Sequence, residues 1–443
     1  MAIASEPGVF ADELARVLER TRAAEPAAVQ RLRREAFDRF MAAGWPTRRD
    51  EGWRHTSVAP ITAGGFVLDL DGGAPPPAAA AAALALPGAH LAALLEGRLA
   101  PEHSRLAELP AGVTVASLAD ALRRTPELAT PHLGSLVGAG PHAFASLNTA
   151  LFTDGVLVRL ERGAVLDRPL HVVVVGGGPG PTLAFPRLLV VAEEGAEGTV
   201  VETYASAGGA AHCCEAVTEL VLADGARIDH YALQVQNEGS YHIGVQAAVL
   251  ARDAALVSHA FTFGAALARN DVAARLAGEG ASLVLNGLYF PRGSQHVDTH
   301  MTVEHASPHG ESRELYKGVL DGSATAVFDG LIHVLPGAQK TNARQSNRNL
   351  LLSRQAVATS NPQLRIFADD VKCTHGSTVG ELDADALFYL RSRGIGAGAA
   401  KAILTRAFAG EVLGGVRPGT LRAELERRLA ERLPDGGALD ALV

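Results

Sequence analysis

The chain has 443 residues, 47% hydrophobic and 20% charged, which supplies a sizeable core and excludes wholesale disorder. A formal charge of -8 argues against a nucleic-acid-binding face, and three cysteines are too few for a disulfide framework, pointing to a reducing compartment. No apolar run reaches the roughly 18 residues of a membrane span, and the acidic opening "MAIASEPGVFADEL" lacks the basic-then-apolar order of a secretion signal, so the expected setting is the cytoplasm.

In chain order, apolar residues first recur at helical spacing as Phe10, Leu14, Val17 and Leu18, then as Val29, Leu32, Phe37 and Phe40, before Gly44 and Pro46 stop the pattern. That predicts two helices. The alanine- and proline-rich stretch around 74–93 reads as a linker or surface excursion, and "SLADALRR" as a short helix capped by Ser117. From about residue 150 the texture becomes valine-rich runs punctuated by turns. A weak echo recurs at Gly163, Gly195, Gly225, Asp253 and Gly280, each turn followed by a strand-like run. Such a period predicts stacked coils of a β-solenoid, each burying its face against its neighbours. From residue 382 the pattern turns helical again. Asp383 is placed as an N-cap, Gly394 as a stop, Ile403, Leu404, Ala407, Phe408 and Val412 form one stripe, and Leu421, Leu425, Leu429 and Leu433 are spaced four apart. These helices either cap the solenoid or dock a partner.

Several motifs bear on chemistry. "VVVVGGGPGP" has Pro181 where a dinucleotide fingerprint needs its third glycine, and "LPGAQKT" lacks the spacing of a phosphate loop, so no nucleotide site is expected in this chain. Cys213 and Cys214 are adjacent, so in a strand they face opposite ways and cannot chelate together; one core and one surface residue are expected. In "SQHVDTHMTVEHASPHG", His296, Asp298 and His300 share a strand face. Two histidines and a carboxylate can form a metal set, and the alternative is a polar ladder on a solvent-facing or interface strand. In "NPQLRIFADDVKCTHG", read as one strand ending near Gly376, Cys373 and His375 point to the same face. They are either ligands for a soft ion or a packed thiol beside a hydrogen-bonded imidazole.

The run from Val303 to Ile395, which contains "DGSATAVFDGLIHVLPGAQKTNARQSNRNLLLS" and "DDVKCTHG", resembles the C-terminal half of the SufB/SufD family, scaffold subunits of the SUF iron-sulfur cluster assembly machinery. "GWRHTSV", residues 52–58, is similar to a short motif of the family's N-terminal region. SufB members carry a further cysteine-rich segment and an essential cysteine in the C-terminal half, whereas SufD members have a histidine just after "DDVKC". The chain has no C-x-x-C and has His375 at that position, so it is more similar to the SufD branch.

The resemblance implies a mainly β architecture: a right-handed parallel β-helix core over 150–381, between a mostly helical N-terminal domain (1–149) and a C-terminal helical domain (382–443). It implies a scaffold that is not itself an enzyme. The expected partners are SufB, along the β-helix, and the SufC ATPase, through the C-terminal helices, with Phe388, Tyr389, Leu390, Arg391, Arg393, Ile403 and Phe408 as partner-facing candidates. ATP would be bound by SufC. A transient iron-sulfur cluster would form at the SufB–SufD interface, with His375 as a metal ligand and Cys373 as the weaker candidate; whether a flavin binds the complex is left open. Two rival readings are a β-helix enzyme acting on polysaccharides, which needs paired carboxylates in an aromatic groove although only 5% of residues are aromatic, and a metal-binding module built on the cluster from His296 to His309.

Overall fold

The computed structural model describes residues 10–433, apart from 69, 71–78, 139–141 and 179. Its centre is a parallel β-solenoid. Alternate strands fall into two sheets, one of eleven strands and one of ten, so that each chain segment crosses from one sheet to the other and returns one layer further on. Pairing is parallel and in register: Arg227–Gln234 lies against Ala255–Thr262, then Ser282–Tyr289, then Glu311–Leu320, then Asn342–Leu351.

The echo of turns seen in the sequence marks one corner of this stack. Gly163, Gly195, Gly225, Asp253 and Gly280 all have positive φ, and the series continues at His309 and Lys340, which the glycine pattern could not reveal. Each of these residues donates its backbone N–H to the carbonyl of the next coil's turn, as in Gly195 to Asp224 and Gly280 to Pro308. A left-handed conformation is easy for glycine and tolerable for aspartate, so only part of the repeat is written in glycine.

Between the sheets lies a continuous apolar interior, including Val158, Val190, Leu220, Leu250, Leu276, Val303 and Phe328. The outer face of the eleven-stranded sheet is covered by the N-terminal helices, Phe10–Thr21, Ala27–Ala43 and Ala143–Leu151, through Phe40, Phe144, Leu189 and Ile243. The outer face of the other sheet is covered by the helices Ala397–Leu413 and Gly419–Arg432, whose Val412, Leu421, Leu425 and Leu429 pack on Tyr231, Phe261 and Leu288. The leucine stripe therefore lies along the flank of the solenoid, not over its end.

The expected caps are present: Ser117 Oγ accepts from Asp120 N, a carboxylate oxygen of Asp383 accepts from Ala386 N, and Gly394 has positive φ after the helix Ala384–Ser392. Three expectations need correction. Residues 74–78 of the supposed linker lie outside the described residues, but Ala79–Leu84 is a helix and His90–Leu95 is a buried strand paired with Leu170–Gly176. Its small side chains let Leu91 and Ala93 pack on Val173 and Val175 while Ala92 and Leu94 face the interior. With Val113–Ser117 also paired, to Val156–Leu160, the solenoid recruits strands from well before residue 150. Cys214 faces the interior and Cys213 the outside, yet both are buried, because the N-terminal helices cover that outer face.

Candidate functional site

Two clusters identified in the sequence can be placed. The first is His296, Asp298 and His300 on the strand His296–His305, and they do share a face. That face meets "GWRHTSV". Thr56 Oγ1 donates to Asp298 Oδ2 at 2.5 Å, and since it has a single proton it accepts from His296 Nε2 at 2.8 Å. The other ring nitrogen of His296 takes Thr325 Oγ1 at 2.5 Å.

Arg269, which sequence reasoning missed, organises the rest. Its Nη1 donates to Asp298 Oδ2 at 2.6 Å and to the Gly52 carbonyl at 2.7 Å, its Nε donates to Asp271 Oδ2 at 2.8 Å, and its guanidinium lies 3.7 Å from the centre of the Trp53 ring. His142 Nε2 reaches Asp271 at 3.1 Å, and His300 Nε2 reaches Asp298 at 3.0 Å. Burial alone would raise both carboxyls. For Asp298 the bond from His300 and the charge of Arg269 outweigh it; for Asp271, Arg269 and His142 do, and both acids are held below the usual range.

Both nitrogens of His296 are thus engaged, and Oδ2 of Asp298 takes both a cation and a hydroxyl. Among the described residues no group of three His, Cys, Asp or Glu could hold a metal ion. The arrangement is a clasp joining the N-terminal segment to the solenoid flank, bordering a cleft of about 350 Å³.

The second cluster is at the far end. "NPQLRIFADDVKCTHG" is not one strand: Val357–Ile366 closes one sheet, a corner follows, and Lys372–Gly380 closes the other. The break has a local cause, since Lys340 N donates to the Asp370 carbonyl at 2.6 Å and Gln339 Nε2 donates to Asp369 Oδ1 at 2.8 Å, continuing the stacked corner. Gly376 is therefore inside the strand. Lys372–Gly380 pairs on one side only, with Ala343 opposite Cys373, Gln345 opposite His375 and Asn347 opposite Ser377.

Cys373 and His375 share the inward-facing side of this last strand. The thiol packs against Ile332, Val334, Ala338 and Ala343, and burial pushes its pKa up, which disfavours the thiolate. His375 is exposed. Around it the end of the solenoid carries uncovered apolar side chains: Val357, Ile366, Phe367 and Val379.

Of the C-terminal candidates, Phe388 and Tyr389 are 74% and 57% exposed on the helix Ala384–Ser392, which buries none of its residues. Arg391 and Arg393 are exposed as well, and Arg393 lies over the Tyr389 ring. Leu390 is half-buried. Ile403 and Phe408 instead pack against the flank of the solenoid, with Lys317 donating to the Phe408 carbonyl at 2.7 Å.

Comparison with known proteins places the chain in a family. Residues 174–408 match the SufBD core domain of SUF-system FeS cluster assembly, and residues 12–172 match the SufBD N-terminal region. The chain is 33% identical to the iron-sulfur cluster assembly protein SufD of Escherichia coli over 90% of this chain and 92% of that one. It is also 33% identical to an iron-sulfur cluster assembly SufBD family protein of Synechocystis over 89% of each, and 28% identical to SufD of Bacillus subtilis over 57% of this chain and 58% of that one. The chain belongs to the SufBD family of iron-sulfur cluster assembly proteins and is SufD-like.

Proposed function

We propose that this chain is the non-enzymatic, SufD-type half of a cytoplasmic scaffold that pairs with SufB through the uncovered end of its solenoid and presents His375 to the cluster under assembly. One observation carries the reading: the inward-facing columns run out at Lys372–Gly380, so that His375 is exposed where Gln345, one coil earlier, is 1% exposed. A neutral imidazole suits iron, and a thiolate from SufB would supply the soft ligand. Iron and sulfide are cargo here. Cys373, packed and held protonated, is the poorer ligand.

SufC is assigned to the helix Ala384–Ser392, whose Phe388 and Tyr389 are largely exposed among the described residues, while Ile403 and Phe408 are spent on the solenoid flank. ATP belongs to SufC in this reading. Co-expression with SufB and SufC tests it. His375→Ala should leave the three-subunit complex intact while visible absorbance and acid-labile sulfide fall sharply, and Cys373→Ser should be milder. Cluster content equal to the parent in His375→Ala would end the ligand role. Phe388→Asp with Tyr389→Asp should release SufC and keep SufB.

A further inference from the structure

One inward-facing column of the last three coils reads Glu314, Gln345, His375, each residue opposite the next in register. Glu314 and Gln345 are 2% and 1% exposed. Gln345 Nε2 donates to Glu314 Oε2 at 2.6 Å, so the NH₂ group is turned to the Glu314 carboxyl and the carbonyl oxygen is on the other branch. That oxygen, Gln345 Oε1, is buried and has no hydrogen-bond partner.

The amide is also held in place. A Cβ at Gly330 would lie 2.5 Å from Gln345 Nε2, so the glycine of the facing sheet makes the room in which this side chain sits. Glu314 Oε1 accepts from Ser312 Oγ at 3.4 Å, and Ser312 meets His305 Nε2 at 3.0 Å. A fixed, buried acceptor without a donor is uncommon in a folded protein and calls for one. The next residue of the column is His375, one strand spacing of about 4.8 Å away, with an exposed ring free to turn.

We propose that Gln345 is a positioning residue for His375: its carbonyl accepts one imidazole N–H, so a single tautomer is held and the lone pair of the other nitrogen faces the open end. Histidines that bind metal are commonly fixed in this way by an acceptor behind them. The inference rests on the reading of His375 as a ligand, and its test separates the two.

In the full-length ¹⁵N-labelled chain, the ring-nitrogen shifts of His375 near neutral pH should report one predominant neutral tautomer. Gln345→Leu, or the milder Gln345→Asn, which withdraws the carbonyl by one methylene, should give an averaged ring, and Gln345→Glu should restore the single form. In the co-purified complex with SufB and SufC, Gln345→Leu should lower iron and acid-labile sulfide by about tenfold or more, with Gln345→Glu recovering them. An averaged His375 ring in the parent, or a ring unchanged in both Gln345→Leu and Gln345→Asn, overturns the proposal. If His375→Ala loses the cluster in that case, the ligand reading survives alone. If the tautomer is fixed by Gln345 but His375→Ala keeps its cluster, the hydrogen bond stands and the ligand role falls.

Discussion

The two ends of the solenoid are finished differently. At the beginning, the chain closes its own sheets: short strands, Arg98–Leu99 and Val113–Ser117, pair antiparallel to their neighbours and stop the stack. At the other end, among the described residues, no further strand stacks on the last coil. Ala343, Gln345 and Asn347 are at most 1% exposed, whereas their register partners Cys373, His375 and Ser377 are half-buried, exposed and exposed. Burial in a solenoid is given by the next layer, not by residue type, so inward-facing residues that see solvent mark where a layer from elsewhere fits.

Four perturbations test this contrast, beginning with the sealed region. Arg187 and Glu219 form an ion pair of 2.5 Å with both side chains fully buried beneath the N-terminal helices. Arg187→Ala leaves a buried carboxylate without its counter-charge, held only by the N–H groups of Gly134 and Leu136, and should cost about 3–5 kcal/mol in urea unfolding. Leu425→Ala opens a cavity on the opposite flank, where Leu425 is fully buried, for about 2–4 kcal/mol by the same measurement.

Glu314 tests the interior near the open end. Burial pushes its carboxyl up to about 7 from 4.5, so the folded state holds the proton more tightly than the unfolded state. Its contribution to stability is full below the unfolded pKa and is lost as pH rises through 7. Glu314→Gln should therefore flatten that decline and exceed the parent above pH 7, by up to roughly 2–3 kcal/mol. The clasp has the opposite sign: Asp271 and Asp298 are depressed, so their contribution is present at neutral pH and is lost on acidification.

The smallest effect belongs to the open end. Phe367→Ser, at a residue 62% exposed, should change the stability of the isolated chain by less than about 0.5 kcal/mol and yet weaken co-purification with SufB. A large loss of stability instead would mean that this end is already covered by the chain itself.

Much of this was legible in residues. Glycine at one corner gave the period of the coils, and the alternation at Cys373 and His375 gave their common face. What hid was set by other layers. His309 and Lys340 hold the same corner without glycine, because the ladder between turns imposes the conformation. Of Cys213 and Cys214 one reads as a surface residue of a strand, yet the outward one, Cys213, is buried because the helix Ala143–Leu151 and its neighbours lie over it. His296, Asp298 and His300 suggest a metal set because spacing along one strand shows neither Thr56, 242 positions from Asp298, nor Arg269. The alanines near residue 80 look like a linker because small side chains are used both where packing is absent and where it is close.

The unpaired edges also differ from each other. In Val357–Ile366 the residue opposite Gly330 is Pro362, which has no N–H to offer and is found in sheets at edges for that reason. In Lys372–Gly380 no proline interrupts the backbone, so its outer row of amides is a template that a further strand could copy. An uncovered row of this kind is a hazard to the chain itself, since a second copy could add there. The proline limits templating to one of the two sheets.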